Sequence, residues 1–338
     1  MPFRPISRRG FLFATGGLAA TAALAGCGDD TASTGSSSGG GAWEFTDDRG
    51  TRITRDKRPE KVVAYVSSAA ALWDYGIHPI GAFGPQKTES GEKELQAGNM
   101  DLSKVTSLGN AWDDFDEEKF IGLSPDLLVT GLTGVEPTDL WAITPEMGKK
   151  VEKIAPILAL SEYKVSLPKV IERYEALAKA LGADVTSSAV TKAKDEFRTA
   201  SDELAAAAKE KAGLKVLVLY ADKDGVYIAK PEFFADLAYY KELGLDIVEG
   251  GAGEDYWEQL SWEQVGKYPA DLILTDVRTF ALPRDQMAQY PTWNALPAVA
   301  AGQVGDWSAE PRFNHTLATP VIRELTTLVK GARTDITA

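Results

Sequence analysis

The chain has 338 residues, 44% of them apolar, enough to build one or two ordinary hydrophobic cores. Its formal charge of −13, from 36 basic and 49 acidic residues, argues against nucleic acid as a partner and against an electrostatic hold on anionic lipid. A single cysteine excludes an internal disulfide, and two histidines as far apart as His78 and His315 read as structural rather than as metal ligands.

The first residues speak to location. Arg4 and Ser7-Arg8-Arg9-Gly10-Phe11-Leu12 precede a run of small and apolar residues that ends Leu24-Ala25-Gly26-Cys27. A basic start, a short apolar stretch and small residues at a cleavage point make an export signal. The Arg8-Arg9 pair with Phe11 and Leu12 is of the twin-arginine type. Residues 11–26 are too few, and too rich in Gly, Ala and Thr, to span a bilayer comfortably. Leu24 to Cys27 resembles the bacterial lipobox, so residues 1–26 are expected to be removed and the Cys27 thiol to carry a lipid. Loss of Arg4, Arg8 and Arg9 with that segment takes the charge from −13 to −16. Residues 28–41, polar and rich in Gly and Ser, cannot bury a core. They read, within a segment 27–42, as a flexible tether with a root-mean-square reach of roughly 20 Å. The protein is therefore expected on the outer face of the cell membrane.

Trp43 to Phe45 and Thr51 to Ile53 flank Asp47-Asp48-Arg49-Gly50, the pattern of a hairpin and its turn. Val62 to Val66 reads as a buried strand, Ala69 to Tyr75 as a helix ended by Gly76, and Ile80 to Phe83 as a second strand. Asp126 to Thr130 and Ile157 to Leu160 add two strands, and Pro168 to Leu181 a helix that stops at Gly182. Residues 185–212 differ. Ala189, Ala193, Phe197, Ala200 and Leu204 recur at three- and four-residue spacing, with no Pro or Gly before Gly213. This is one helix of roughly 25 residues. Then come a strand from Lys215 to Tyr220, a helix from Glu232 to Leu243 opened by Pro231, and a strand from Asp271 to Thr275. A short strand starts at Gln303-Val304, and a helix runs from His315 to Lys330. Strands alternating with helices argue for mostly parallel sheets. The expected fold is α/β, with an N-terminal lobe at 43–184, an interlobe helix at 185–212 and a C-terminal lobe at 213–338.

Two segments match without a gap. Glu118 is followed by Asp126, Leu127 and Thr130, and Glu263 by Asp271, Leu272 and Thr275, at the same offsets. Each reads as a short helix feeding a buried strand, and the repetition implies two similar lobes. An acid in the first turn of a helix is explained by the macrodipole. That account covers each Glu singly but not their common register.

With these landmarks the chain resembles the helical-backbone class of ABC-importer substrate-binding proteins, which includes siderophore, haem and cobalamin binders. The resemblance covers most of residues 43–331. It rests on Ala70 to Gly81, Glu118 with Ser124-Pro125-Asp126, Ile154-Ala-Pro156, Ser261-Trp-Glu263 with Pro269-Ala-Asp271, and Trp293 to Val304. It implies two Rossmann-like lobes joined by a long helix, with the ligand in the cleft between them. It also implies that Glu118 and Glu263 dock onto arginine pockets of paired permease subunits.

In open α/β lobes, ligands lie beyond the carboxyl ends of the strands. Candidates placed there are Tyr65, Tyr220, Arg278 and Trp307, with Arg312 beyond it, and Trp112 and Trp257 are added from loops next to the repeated motifs. Aromatic walls with one or two arginines suit a large, partly apolar ligand with oxyanion groups around a bound iron. Arg278 stands out, because a charge directly after a buried strand needs a partner or a cleft. The expected cargo is a ferric siderophore, of hydroxamate or mixed type, with haem and cobalamin as alternatives in the same fold. No cofactor or resident metal is expected, and the protein is expected to be a monomer. A hydrolase reading fares worse. Ser161 and Ser166 each begin a Ser-x-x-Lys, but the companion Ser-Asp-Asn and Lys-Thr-Gly motifs and a Gly-x-Ser-x-Gly elbow are absent.

Overall fold

The computed structural model describes residues 42–251, 256–310 and 312–337. The export signal, Cys27 and nearly all of the tether lie outside the described residues. Among the described residues, no helix is long and apolar enough to cross a membrane.

The hairpin forms as the sequence implies: β1 (Trp43–Thr46) pairs antiparallel with β2 (Arg52–Arg55). Asp47 builds its turn. One carboxylate oxygen accepts the N–H of Arg49 and of Thr51 at 3.0 and 2.9 Å. The other pairs with the Arg49 guanidinium and accepts Ala159 N–H at 3.2 Å. The turn is thereby stitched to the first sheet.

That sheet contains β3 (Val62–Tyr65), β4 (Gly81–Phe83), β5 (Thr106–Ser107), β6 (Leu127–Leu132) and β7 (Ile157–Ser161). Its order is β5-β4-β3-β6-β7 and every pairing is parallel. Four helices accompany it: α1 (Val66–Trp73), α2 (Glu117–Leu123), α3 (Pro145–Val151) and α4 (Leu167–Ala180). β3 and β6 are buried along their whole length, which is why they read as unbroken apolar runs. Val66, expected to end a strand, instead begins α1.

The long helix α5 (Ser188–Glu210) has 23 residues and lies between the two sheets in sequence. Ser187 caps it by accepting Val190 N–H. The second sheet contains β8 (Lys215–Ala221), β9 (Val226–Ala229), β10 (Asp246–Ile247), β11 (Trp257–Leu260), β12 (Leu272–Asp276) and β13 (Val304–Trp307). Its helices are α6 (Ala235–Glu242), three short ones, α7 (Arg284–Met287), α8 (Pro291–Asn294) and α9 (Pro297–Ala300), and the C-terminal α10 (His315–Gly331). β10 and β12 run parallel to β8, and β13 parallel to β12. β9 and β11, however, form an antiparallel edge, which the sequence reading lacks. The link from β8 to β9 is an Asp-led turn: Asp222 accepts the N–H of Asp224 and Gly225 at 2.7 and 3.0 Å. A side chain at Gly225 would put its Cβ 2.3 Å from the Leu260 carbonyl, so the edge needs glycine there. The helix expected over 232–243 is split. A 3-10 turn at Pro231–Phe233 precedes α6, because Phe234 takes an extended backbone and packs its ring on Tyr256, Trp257 and Trp307.

The repeated motif marks a repeated structure. Around β6, Val62 pairs with Leu127, Val63 with Leu128, and Leu128 in turn with Ile157, and the second lobe has the same register at β12. There Leu272 faces Val216, Ile273 faces Leu217, and Ile273 faces Val304. Just before each central strand, Asp126 accepts Lys61 N–H at 3.0 Å and Asp271 accepts Lys215 N–H at 3.0 Å. Their own N–H groups return bonds of 2.9 Å to the same two residues' carbonyls.

One core runs through both lobes. It joins Val63 and Leu128 of the first sheet to Val216 and Val218 of the second, through Phe197 and Leu204 of α5 and Ile322 of α10. A smaller core, with Leu219, Ile273, Met287 and Trp293, backs the second sheet. Asn314 bolts the lobes together. Its Oδ1 caps α10 by accepting Leu317 N–H at 2.8 Å, while its Nδ2 donates to the carbonyls of Ala70 and Ala71 and to Asp74.

Candidate functional site

The carboxyl ends of strands from both sheets bring their side chains to a common cleft. β3 ends at Tyr65, β7 leads into Glu162, β12 leads into Arg278, and β13 leads into Glu310. A cavity of about 210 Å³ lies there, lined by Glu94, Gln96, Asn110 and Trp112 of the first lobe and Arg278, Phe280 and Glu310 of the second.

Each lobe supplies an aromatic wall. In the first, Tyr65 stacks on Trp141 at 5.8 Å between ring centres, and Trp112 leans on both, at 5.9 Å from Tyr65 and 4.8 Å from Trp141. In the second, Tyr220 meets Trp257 at 6.0 Å and Phe280 at 5.9 Å. Aromatic pairs at these distances hold a rigid apolar surface. Gly84 makes the first wall possible: a Cβ there would lie 2.5 Å from the Tyr65 ring.

Between the walls sit charges. Arg278 is held by Asp276 through Nε at 2.7 Å and Nη2 at 2.5 Å, and by Glu310 through Nη1 at 3.2 Å. Its guanidinium also lies 4.6 Å from the Phe280 ring. Burial pushes the Glu310 carboxyl up to about 7, with Arg278 opposing and Asp276 and Glu94 adding to the rise. Glu162, also buried, is pushed by that burial to about 8, against the indole N–H that Trp141 donates at 2.7 Å. Its other oxygen has no partner, and a Cβ at Gly131 would stand 2.3 Å from it. Two hydrogen bonds span the cleft: Thr279 hydroxyl to Glu94 at 2.6 Å, and Tyr256 hydroxyl to Thr133 carbonyl at 2.7 Å.

Of the residues expected from sequence, Trp112 and Arg278 line the cavity. Tyr220 and Trp257 are partly exposed on the second wall. Tyr65 is fully buried behind Trp112 and Trp141. Trp307 is only 4% exposed and donates its indole N–H to Asp236 at 2.7 Å, so it backs Trp257 rather than facing the cavity. Arg312 is half-buried with Asp236 and Tyr240 as its charged and polar surroundings, and does not line the cavity. Glu118 and Glu263 are both exposed, each in the first turn of its helix. The first belongs to α2; the second belongs to a 3-10 helix, Trp262–Lys267, with a capping box at Ser261. Sequence reasoning missed Trp141, Phe280, Glu94, Glu162 and Glu310. Glu310 had a signal, since it lies past the end of a strand in the same way as Arg278.

Two Rossmann-like lobes spanned by a long helix, with a cleft where their strand ends meet, define a two-lobed binding protein. The family described as periplasmic binding protein matches residues 62–311, and the chain belongs to it. Among solved structures it is similar to DesE, a ferric-siderophore receptor protein from Streptomyces coelicolor. The two are 39% identical with a TM-score of 0.82, over 86% of this chain and 99% of that one. The fold is shared also by the siderophore periplasmic binding protein from the fuscachelin gene cluster of Thermobifida fusca, at 21% identity and a TM-score of 0.60, over 81% and 97% of the two chains. The Fe(3+)-citrate-binding protein YfmC of Bacillus subtilis (strain 168) is 23% identical over 256 residues, 75% of each chain.

Proposed function

We propose that this protein is the substrate-binding lipoprotein of an ABC importer, that it captures a ferric siderophore of hydroxamate or mixed type, and that it works as a monomer. The observation that carries the reading is the cleft: two aromatic walls from separate lobes, facing a guanidinium and carboxylates at the ends of the strands. Such walls give a chelate's apolar shell broad contact at little entropy cost. The likeness to DesE, at 39% identity over nearly all of that chain, supports a ferric siderophore as cargo. The cavity of about 210 Å³ is smaller than the roughly 300–1,000 Å³ usual for ligand sites. A chelate larger than this cavity enters by parting the Thr279–Glu94 and Tyr256–Thr133 contacts. A lipid on Cys27 holds the protein to the outer membrane face, the following tether lets it turn, and Glu118 and Glu263 present the loaded body to a pair of permease subunits.

The test is tryptophan quenching with ferric hydroxamates, ferric catecholates, ferric citrate, haem and cobalamin, each beside its iron-free or empty control. Saturable quenching by a ferric hydroxamate, with little response to its iron-free form, is the expected outcome. Preference for haem or cobalamin would overturn the siderophore reading and leave the importer role standing.

A further inference from the structure

The inner end of the cavity has more negative than positive charge. Glu94 and Glu310 both line it, 8% and 4% exposed, one from each lobe. Arg278 is the buried cation there, and it is already shared between Asp276 and Glu310. Three carboxylates thus face one guanidinium. Each glutamate has one oxygen engaged: that of Glu94 accepts the Thr279 hydroxyl, and that of Glu310 accepts Arg278. The second oxygen of each has no hydrogen-bond partner among the described residues. Lys87 and Glu89 also line the cavity, but both are exposed at its mouth, where water screens them and their charges offset.

Resting on the ferric-chelate reading above, we propose that Glu94 and Glu310 together receive an alkylammonium group carried by the bound chelate, so that the cleft selects cationic ferric hydroxamates over neutral and anionic chelates. An ammonium supplies three donors in any direction. It fits two carboxylates that each keep a free oxygen. It also completes a charge balance that Arg278 leaves unfinished, and between side chains as buried as Glu94 and Glu310 that balance weighs more than at the surface. An anionic chelate would meet the opposite: its charge would be buried against two carboxylates, with a guanidinium already occupied. Because the two glutamates come from different lobes, the ammonium would also bridge the cleft and hold it shut.

The test titrates the full-length protein with three ferric chelates: a linear trihydroxamate with a free terminal amine, the same chelate with that amine acetylated, and a tricatecholate. The amine-bearing chelate is expected to bind at least about tenfold tighter than its acetylated form, the ratio that one modest ion pair supplies. E94Q and E310Q are each expected to compress that ratio toward one. Equal affinity for the two hydroxamates, or a tricatecholate bound as tightly as the amine, overturns the charge selection while leaving the ferric-chelate reading intact. A preference that survives both substitutions overturns the assignment to Glu94 and Glu310. Binding of none of the three overturns the ferric-chelate reading and this inference with it.

Discussion

Glu162 is a carboxyl placed where a charge does not belong. It is buried, one oxygen accepts the Trp141 indole N–H, and the other accepts nothing among the described residues. From an ordinary value of 4.5 its pKa rises to about 8, so the folded protein holds this proton through neutral pH where the unfolded chain has lost it. The sign follows from proton counting. Stability from this group is complete below the unfolded value of 4.5 and drains away as pH climbs toward about 8. Glu310, pushed to about 7, and Asp236, pushed to about 6, act in the same direction. Melting temperature should therefore fall across that window, and Glu162→Gln, which fixes the neutral form, should flatten part of the fall. An unchanged slope in the variant would show that Glu162 is not the titrating group. The rule that singled out Arg278, a charge directly after a buried strand, applied to Glu162 as well, since it follows β7, but its burial against Trp141 was not legible from sequence. Arg278 was legible, as a charge that must find a partner. Its partners proved to be Asp276, two residues away, and Glu310, which no spacing rule connects to it.

At the scale of elements, the sequence reading succeeded where a period or a repeat was long enough to register. The buried parallel strands read as apolar runs, and α5 read as a sustained three- and four-residue pattern. It failed at β9 and β11, four residues each, whose pairing depends on an Asp turn and on a backbone approach at Gly225. The repeat of Asp126 and Asp271 was visible as spacing, but the reason for it lies in the fold. Each aspartate clamps the start of the neighbouring strand, Asp126 at Lys61 just before β3 and Asp271 at Lys215, the first residue of β8, and so sets the register of its sheet. Removing either carboxylate strands backbone N–H groups that it satisfied. Asp126→Ala and Asp271→Ala should each cost about 1–3 kcal/mol, the range for a lost charge-assisted bond. Asp271 should cost more, because it is 1% exposed and also accepts the Thr337 hydroxyl, whereas Asp126 is half-exposed. Urea unfolding of the two variants measures this as a shift in midpoint with the slope preserved. A larger effect at Asp126 would contradict the argument.

The molecule as a whole is built to move little. Its main core passes without a break from one sheet through α5 and α10 to the other, and Asn314 joins the start of α10 to the end of α1. Hinge motion would have to open that core, so opening for cargo belongs to the cleft loops that carry Thr279 and Tyr256. A body of this stiffness suits the proposed delivery step. Two charges fixed on one rigid frame define an orientation as well as an attraction, which two charges on a flexible frame would not. Glu118 and Glu263 are exposed and lie outside the cavity-lining set, so changing them leaves the cleft intact. Glu118→Arg and Glu263→Arg should each abolish uptake of the iron chelate by cells while the isolated variants bind it with unchanged affinity. Charge reversal is the informative change, because under the proposed docking it would set a cation against an arginine pocket rather than merely remove an attraction. Uptake and equilibrium binding measured side by side separate the outcomes. Normal uptake in both variants would refute the docking role, and a matching loss of affinity would place these residues with the fold or the cleft instead.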